Sequence, residues 1–194
     1  MKTYDVTSFI QDLLIPDLQK MIDHELHYYA FSIICQGIEV LGSVFDQKSI
    51  DDFGASESRF DNAITKLFPK NYREKQSLFY SVLRGPLVHQ LRPGPGLWIA
   101  SEKKDGIEKS NHLMKHSDSG STILIIEQFY LDFVSAFEKF KREINKGGST
   151  DKKKVEVPFI AVSTISPPFA KSTQWWPDTP QPALTITQSI TGRA

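Results

Sequence analysis

Up to about residue 146, apolar side chains return every three or four positions, the period of helices that bury one face. Phe9, Ile10, Leu13, Leu14 and Leu18 predict a first helix over about 5–22, and Pro16 inside it predicts a kink or a division. Phe31, Ile34, Ile38, Leu41 and Phe45 form the stripe of a second helix over about 25–45. Gly37 and Gly42 lie inside that helix, each costing about 1 kcal/mol against alanine, so another helix is expected to approach closely there. Ser56 is the expected cap of a short third helix that Pro69 ends. A fourth begins near Tyr72, buries Leu78, Phe79, Val82 and Leu83, is interrupted at Gly85-Pro86, and resumes with Leu87, Val88 and Leu91. The clearest helix, about 127–146, carries Tyr130, Phe133, Val134, Phe137, Phe140 and Ile144 on one face. Its acids come early and its bases late, as the helix dipole favours. Gly147 is its expected terminator. These stripes make Ile34, Ile38, Leu41, Leu83, Phe133, Phe137 and Phe140 the expected core.

Between the fourth and last helices the period changes. Arg92-Pro93-Gly94-Pro95-Gly96 must turn. Residues 97–101 read as a strand, and 112–116 and 122–126 as a hairpin around 117–121. After Gly147-Gly148 come Pro158, Pro167, Pro168, Pro177, Pro180 and Pro182, which exclude a mainly helical tail. The expected fold is mainly α. A bundle of four to five helices fills 1–146, with a small β-hairpin insert at about 97–126. An extended Pro-rich arm follows over 147–194, anchored by Trp175-Trp176.

Composition narrows the function classes. The chain has 194 residues, 40% hydrophobic and 24% charged, with a formal net charge of zero. It is therefore not wholly disordered, and bulk electrostatic binding of nucleic acid is disfavoured; a short local contact is not. The single Cys35 excludes a disulfide or a thiolate metal cage within one chain and suits a reducing compartment. The densest apolar stretch, 28–35, is short of the roughly 20 residues of a spanning helix. No basic segment leads into an apolar one at the N-terminus. A cytoplasmic protein without membrane contact is the expectation.

Phosphate-binding glycine loops, dinucleotide fingerprints and nucleophile elbows are missing from the sequence. His24 and His27 lack metalloprotease spacing; His112 and His116, four apart, suit a metal only on a helix. No third ligand accompanies them, so no metal or cofactor is expected. Cys35 reads as a buried small hydrophobe. Arg84 and His89 differ: they flank a break in an apolar helix. A continuous helix would set them about 140° apart, but a break at Gly85-Pro86 would let both face one cleft. Arg offers a planar, permanently charged fork for phosphate, and His moves protons near neutral pH. The same pair also has a purely structural reading, with Arg84 bonded to a core acid such as Glu39.

The segment Tyr80 to His89, of the form Tyr-x-x-Leu-Arg-x-x-x-x-His, together with the 35–42 helix Cys-Gln-Gly-Ile-Glu-Val-Leu-Gly, resembles the HEPN superfamily over about residues 20–146. The resemblance implies an α-helical bundle that forms a homodimer, often joining two Arg–His pairs in one cleft. In active members it implies a metal-independent endoribonuclease, serving phage defence or stress response. Arg84 then takes the place of the motif Arg and His89 that of the motif His. Glu39 would orient Arg84, Tyr80 would support it, and Arg92 would help hold RNA phosphate. Active members carry a polar residue directly after the Arg, where this chain has Gly85. A non-catalytic dimeric interaction protein is the alternative.

Overall fold

Two prolines decide how the helices are wound. The computed structural model describes residues 2–48, 50, 54–76, 78–90, 92–147 and 154–157. The first helical run, α1 (6–23), starts at Asp5, whose side chain accepts from Ser8 N–H at 2.8 Å. It passes through a π-helical stretch, Phe9–Leu14, before the α-helical Ile15–Asp23. The run holding Pro86, α4 (78–90), repeats this order: π-helical Leu78–Arg84, then α-helical Gly85–Gln90. Each π stretch ends two residues before its proline. Proline lacks an N–H and its ring crowds the carbonyl four residues back. Widening the preceding turn relieves both problems without a break. Of the kink or division expected at Pro16 the division is thus excluded, and the interruption expected at Gly85-Pro86 is corrected: both runs stay helical.

The second helix, α2 (His27–Gly42), continues into a 3-10 turn, Ser43–Phe45. Residues 27–45 are long and apolar enough to cross a membrane by length and composition, which corrects the shorter stretch read from sequence. Half of this segment is buried in the core. The third helix, α3 (Ser56–Leu67), is capped at Ala55 rather than Ser56, without a side-chain cap bond. Tyr72 does not start α4; it lies on a separate turn, Lys70–Arg73. The last helix, α5 (Ile126–Gly147), buries Phe129, Phe133, Ala136, Phe137 and Phe140, while Tyr130 and Val134 are half-buried. All seven expected core residues share one cluster at 1% exposure or less. Its aromatic centre stacks Tyr72 on Phe79 at 5.1 Å and on Phe129 at 6.1 Å, and Phe31 on Phe129 at 5.9 Å.

The insert is not a hairpin. Strand β2 (Leu97–Ala100) pairs in parallel with β3 (Thr122–Ile125), Leu97 opposite Thr122. Residues 101–121 form the crossover that parallel strands require. Residues 112–116 form no strand of their own; they lie beside β3 through an isolated antiparallel bridge, Lys115 to Thr122, flanking backbone bonds and a bond from Ile125 N–H to the His112 ring. Leu113 sits at φ 65°, and this left-handed turn keeps the segment from running on as a strand. A further pairing joins the ends of the described chain: β1 (Lys2–Asp5) runs antiparallel to β4 (Lys154–Val157). The unit therefore spans Lys2–Val157 and takes in part of what the sequence assigns to the arm. Leu91 and the rest of the arm, with Trp175-Trp176, lie outside the described residues.

Candidate functional site

Arg84 closes the π-helical stretch of α4, and at this junction its side chain reaches α2. Its Nε donates to Glu39 Oε1 and its Nη2 to Glu39 Oε2 at 3.2 Å, the two-pronged geometry a guanidinium favours. The two side chains are 18% and 14% exposed. Burial works against the Arg84 charge, but the Glu39 bonds and charge outweigh it and hold its pKa above the ordinary value. The Tyr80 ring lies 5.6 Å from the guanidinium carbon. Cys35, one turn before Glu39 on α2, is fully buried. Burial, reinforced by the Glu39 charge and opposed by Arg84, pushes its thiol far up and so favours the thiol over the thiolate.

The surroundings of this pair are acidic. Glu57, Asp61, Gln76, Tyr80 and Ser81 line a cavity of about 260 Å³. Burial raises the Tyr80 hydroxyl pKa; Arg84 opposes that, and Glu39, Glu57 and Asp61 add to it. A phosphate approaching past Tyr80 would meet the carboxylates of Glu57 and Asp61, and beyond them a guanidinium already bonded to Glu39.

His89 stands apart from the pair. It is exposed and makes no side-chain hydrogen bond among the described residues. Because the chain stays α-helical from Gly85 to Gln90, the step from Arg84 keeps its separation of about 140°. The break that would have turned both toward one cleft is absent. Arg92 is exposed on the turn after α4, which Gly94 ties back by donating to Val82 C=O at 2.7 Å.

No protein-family model matches the chain, and curated proteins and solved structures give no match either. What the molecule does must be read from its own residues.

One polar cluster was not legible in the sequence. Tyr72, His112 and Asp132 come from three elements and meet in the core. The Tyr72 hydroxyl lies 2.7 Å from His112 Nε2 and donates to Asp132 Oδ2 at 2.7 Å. Ile125 N–H donates to His112 Nδ1 at 3.0 Å, and Gln128 Nε2 to Asp132 Oδ1 at 3.0 Å. The Ile125 bond occupies the Nδ1 lone pair, so the proton of the neutral ring sits on Nε2 and points at Tyr72. Every group is satisfied, which makes the cluster a lock between β3, α5 and the 70–73 turn. The one sequence signal is an acid, Asp132, next to the buried stripe of α5. Among the described residues, no group of three or more His, Cys, Asp or Glu is placed to hold a metal ion; His116 instead packs edge-on against Trp98 at 4.3 Å.

This cluster predicts an acid sensitivity. Burial pushes the His112 pKa down from 6.5 to about 4. The unfolded chain therefore takes up this proton first as pH falls. The stability from a neutral His112 is present above pH 6.5 and is lost down to about pH 4. Between pH 7 and 5 the loss is about 2 kcal/mol. Burial raises the Asp132 pKa despite its hydrogen bonds from Tyr72 and Gln128, so Asp132 offsets part of the loss at the acid end. Urea denaturation at both pH values should show a steeper decline for the natural chain than for His112→Gln. Equal declines would mean that the ring is not held neutral.

Proposed function

We propose that the described unit is a HEPN-like interaction module that works as a homodimer and does not cleave RNA. The observation that carries this reading is the Glu39–Arg84 pair. Both prongs of the guanidinium are bonded to a carboxylate across α2 and α4, so Arg84 serves as a clamp between helices. Freeing it for phosphate would leave the Glu39 charge half-buried and unpaired, which opposes the exchange. Gly85, where active HEPN members carry a polar residue, fits a motif kept for structure. The acidic wall beside Tyr80 works in the same direction.

The exposure of His89 favours one second reading, a metal-independent endoribonuclease in which a second protomer completes the groove. The two readings part in one experiment. Purified full-length chain is incubated with a mixed RNA pool in the presence of a chelator, and its mass is measured by light scattering. The expected result is intact RNA and a mass twice the 22.0 kDa of one chain. Cleavage that disappears in His89→Ala would overturn the non-catalytic reading, and a monomer would overturn the dimer. The clamp has its own check. Arg84→Ala should destabilise by about 2 kcal/mol, and Glu39→Ala/Arg84→Ala by less, because the double change leaves no unpaired charge.

A further inference from the structure

The crossover from β2 to β3 is attached to the molecule at few points. Side chains alternate across the sheet: Leu97, Ile99 and Leu124 pack with the main core, while Ala100, Ile123 and Ile125 form a small second cluster. Ile107 of the crossover packs against that cluster and is itself only half-buried. Apart from Ser101 and Leu113, every residue of 101–121 is exposed or half-buried. Segments with so little buried contact open before the whole fold does.

Two hydrogen-bond anchors hold the ends of the crossover, and in each the acceptor is a titratable group. At the entry, Glu127 of α5 accepts from Ser101 Oγ at 2.6 Å, Glu102 N–H at 2.9 Å and Lys103 N–H at 3.3 Å. The charged residues at this anchor, Glu102, Lys103, Lys104 and Asp105, all belong to the crossover. At the exit, the His112 ring accepts from Ile125 N–H of β3 and faces Tyr72 of the 70–73 turn and Asp132 of α5, whose Oδ2 is 3.7 Å from Nε2. A proton on Nδ1 displaces the Ile125 bond, and a proton on Glu127 removes the charge that three donors share.

We propose that residues 101–121 are an acid-released strap, which lifts from the sheet as a unit while the helices stay folded. The exit lets go first. Opening returns His112 to water, so the open strap gains a proton between pH 6.5 and about 4. Asp132 opposes this by offering a counter-charge, but its oxygens are already bonded by Tyr72 and Gln128. The entry follows at lower pH. Burial works to raise the Glu127 pKa, but the bonds from Ser101, Glu102 and Lys103 outweigh it and hold it below the ordinary value. That anchor therefore persists until the pH falls through the lowered value. Release uncovers the apolar cluster of Ala100, Ile123 and Ile125. The strap shares no residue with the Glu39–Arg84 clamp and does not depend on the interaction-module reading.

Amide hydrogen exchange of the full chain at pH 7 and pH 5, corrected for the intrinsic chemical rate, tests this. Leu113 N–H bonds to Ile123 C=O, and Ile123 N–H to Met114 C=O, so both report on the join between crossover and β3. The expected result is that these two amides exchange more readily than those of Phe133 and Phe137 in α5 at both pH values. Their opening should rise by about 20-fold at pH 5. His112→Gln keeps an acceptor for Ile125 N–H but does not titrate, and should abolish that rise. Glu127→Gln should raise the opening of 102–105 about tenfold at pH 7, which keeps the test open if His112→Gln fails to fold. Leu113 and Ile123 amides as protected as those of α5 would overturn the proposal. So would an opening that does not change with pH, an undiminished rise in His112→Gln, or no effect of Glu127→Gln.

Discussion

Gly42→Ala should destabilise the protein by about 3 kcal/mol or more, although alanine is the better helix former by about 1 kcal/mol. A Cβ at position 42 would lie 1.7 Å from the Arg59 carbonyl oxygen, 2.4 Å from its carbonyl carbon and 2.9 Å from its Cα. These are backbone atoms of α3 and cannot swing aside. The helix would have to retreat, and it carries Phe60, Ala63, Ile64 and Leu67 in the core. It also carries Arg59, bonded to Asp46 Oδ2 at 2.7 Å and to Ile50 C=O at 2.8 Å. Two other glycines complete the series. At Gly37 the nearest obstacles are the ends of Phe133 and Leu14, at 2.7 and 2.8 Å; side-chain tips can shift, so alanine should cost about 1 kcal/mol there. At Gly85, among the described residues outside the adjoining helical turn, the nearest atom is the Tyr80 carbonyl oxygen at 3.6 Å, and alanine should stabilise by about 0.5 kcal/mol. Urea denaturation of the three variants should rank them in that order. A neutral Gly42→Ala would mean that α2 and α3 do not approach as described.

Phe137→Ala should cost about 3–5 kcal/mol. The ring is 1% exposed and stacks on Phe140 with centroids 6.1 Å apart. Its neighbours belong to a core closed by several helices at once, so the space left behind cannot collapse easily. On the opposite side of α5, Leu131 is 49% exposed, and Leu131→Ala should change stability by less than about 0.5 kcal/mol. A loss below about 1 kcal/mol for Phe137→Ala would assign the buried face of α5 wrongly.

How far the candidate site was legible follows from distance along the chain. The two possible roles of Arg84, phosphate fork or partner of Glu39, were both readable from residue type. Choosing between them needs the orientation of α2 against α4, which nothing local encodes. His89 and Arg92 were readable as groups able to do chemistry. Their exposure, and the separation of His89 from Arg84, depend on a turn that stays helical.

The sequence by itself determined the helices and the seven-residue core. A helix is specified by spacing of three and four residues, by caps and by dipole-matched charges, all within a few turns of chain. It also located the two prolines and the glycines where helices come close. Tertiary structure alone decided how each proline is absorbed, since a kink, a break and a widened turn share one local sequence. It decided the pairing of β2 with β3 in parallel and of β1 with β4, whose strands lie far apart in sequence and have backbone groups that carry no residue code. It also brought Tyr72, His112 and Asp132 together across separations of 40 and 60 residues. Burial there is what selects the neutral histidine, and burial exists only once the core has closed.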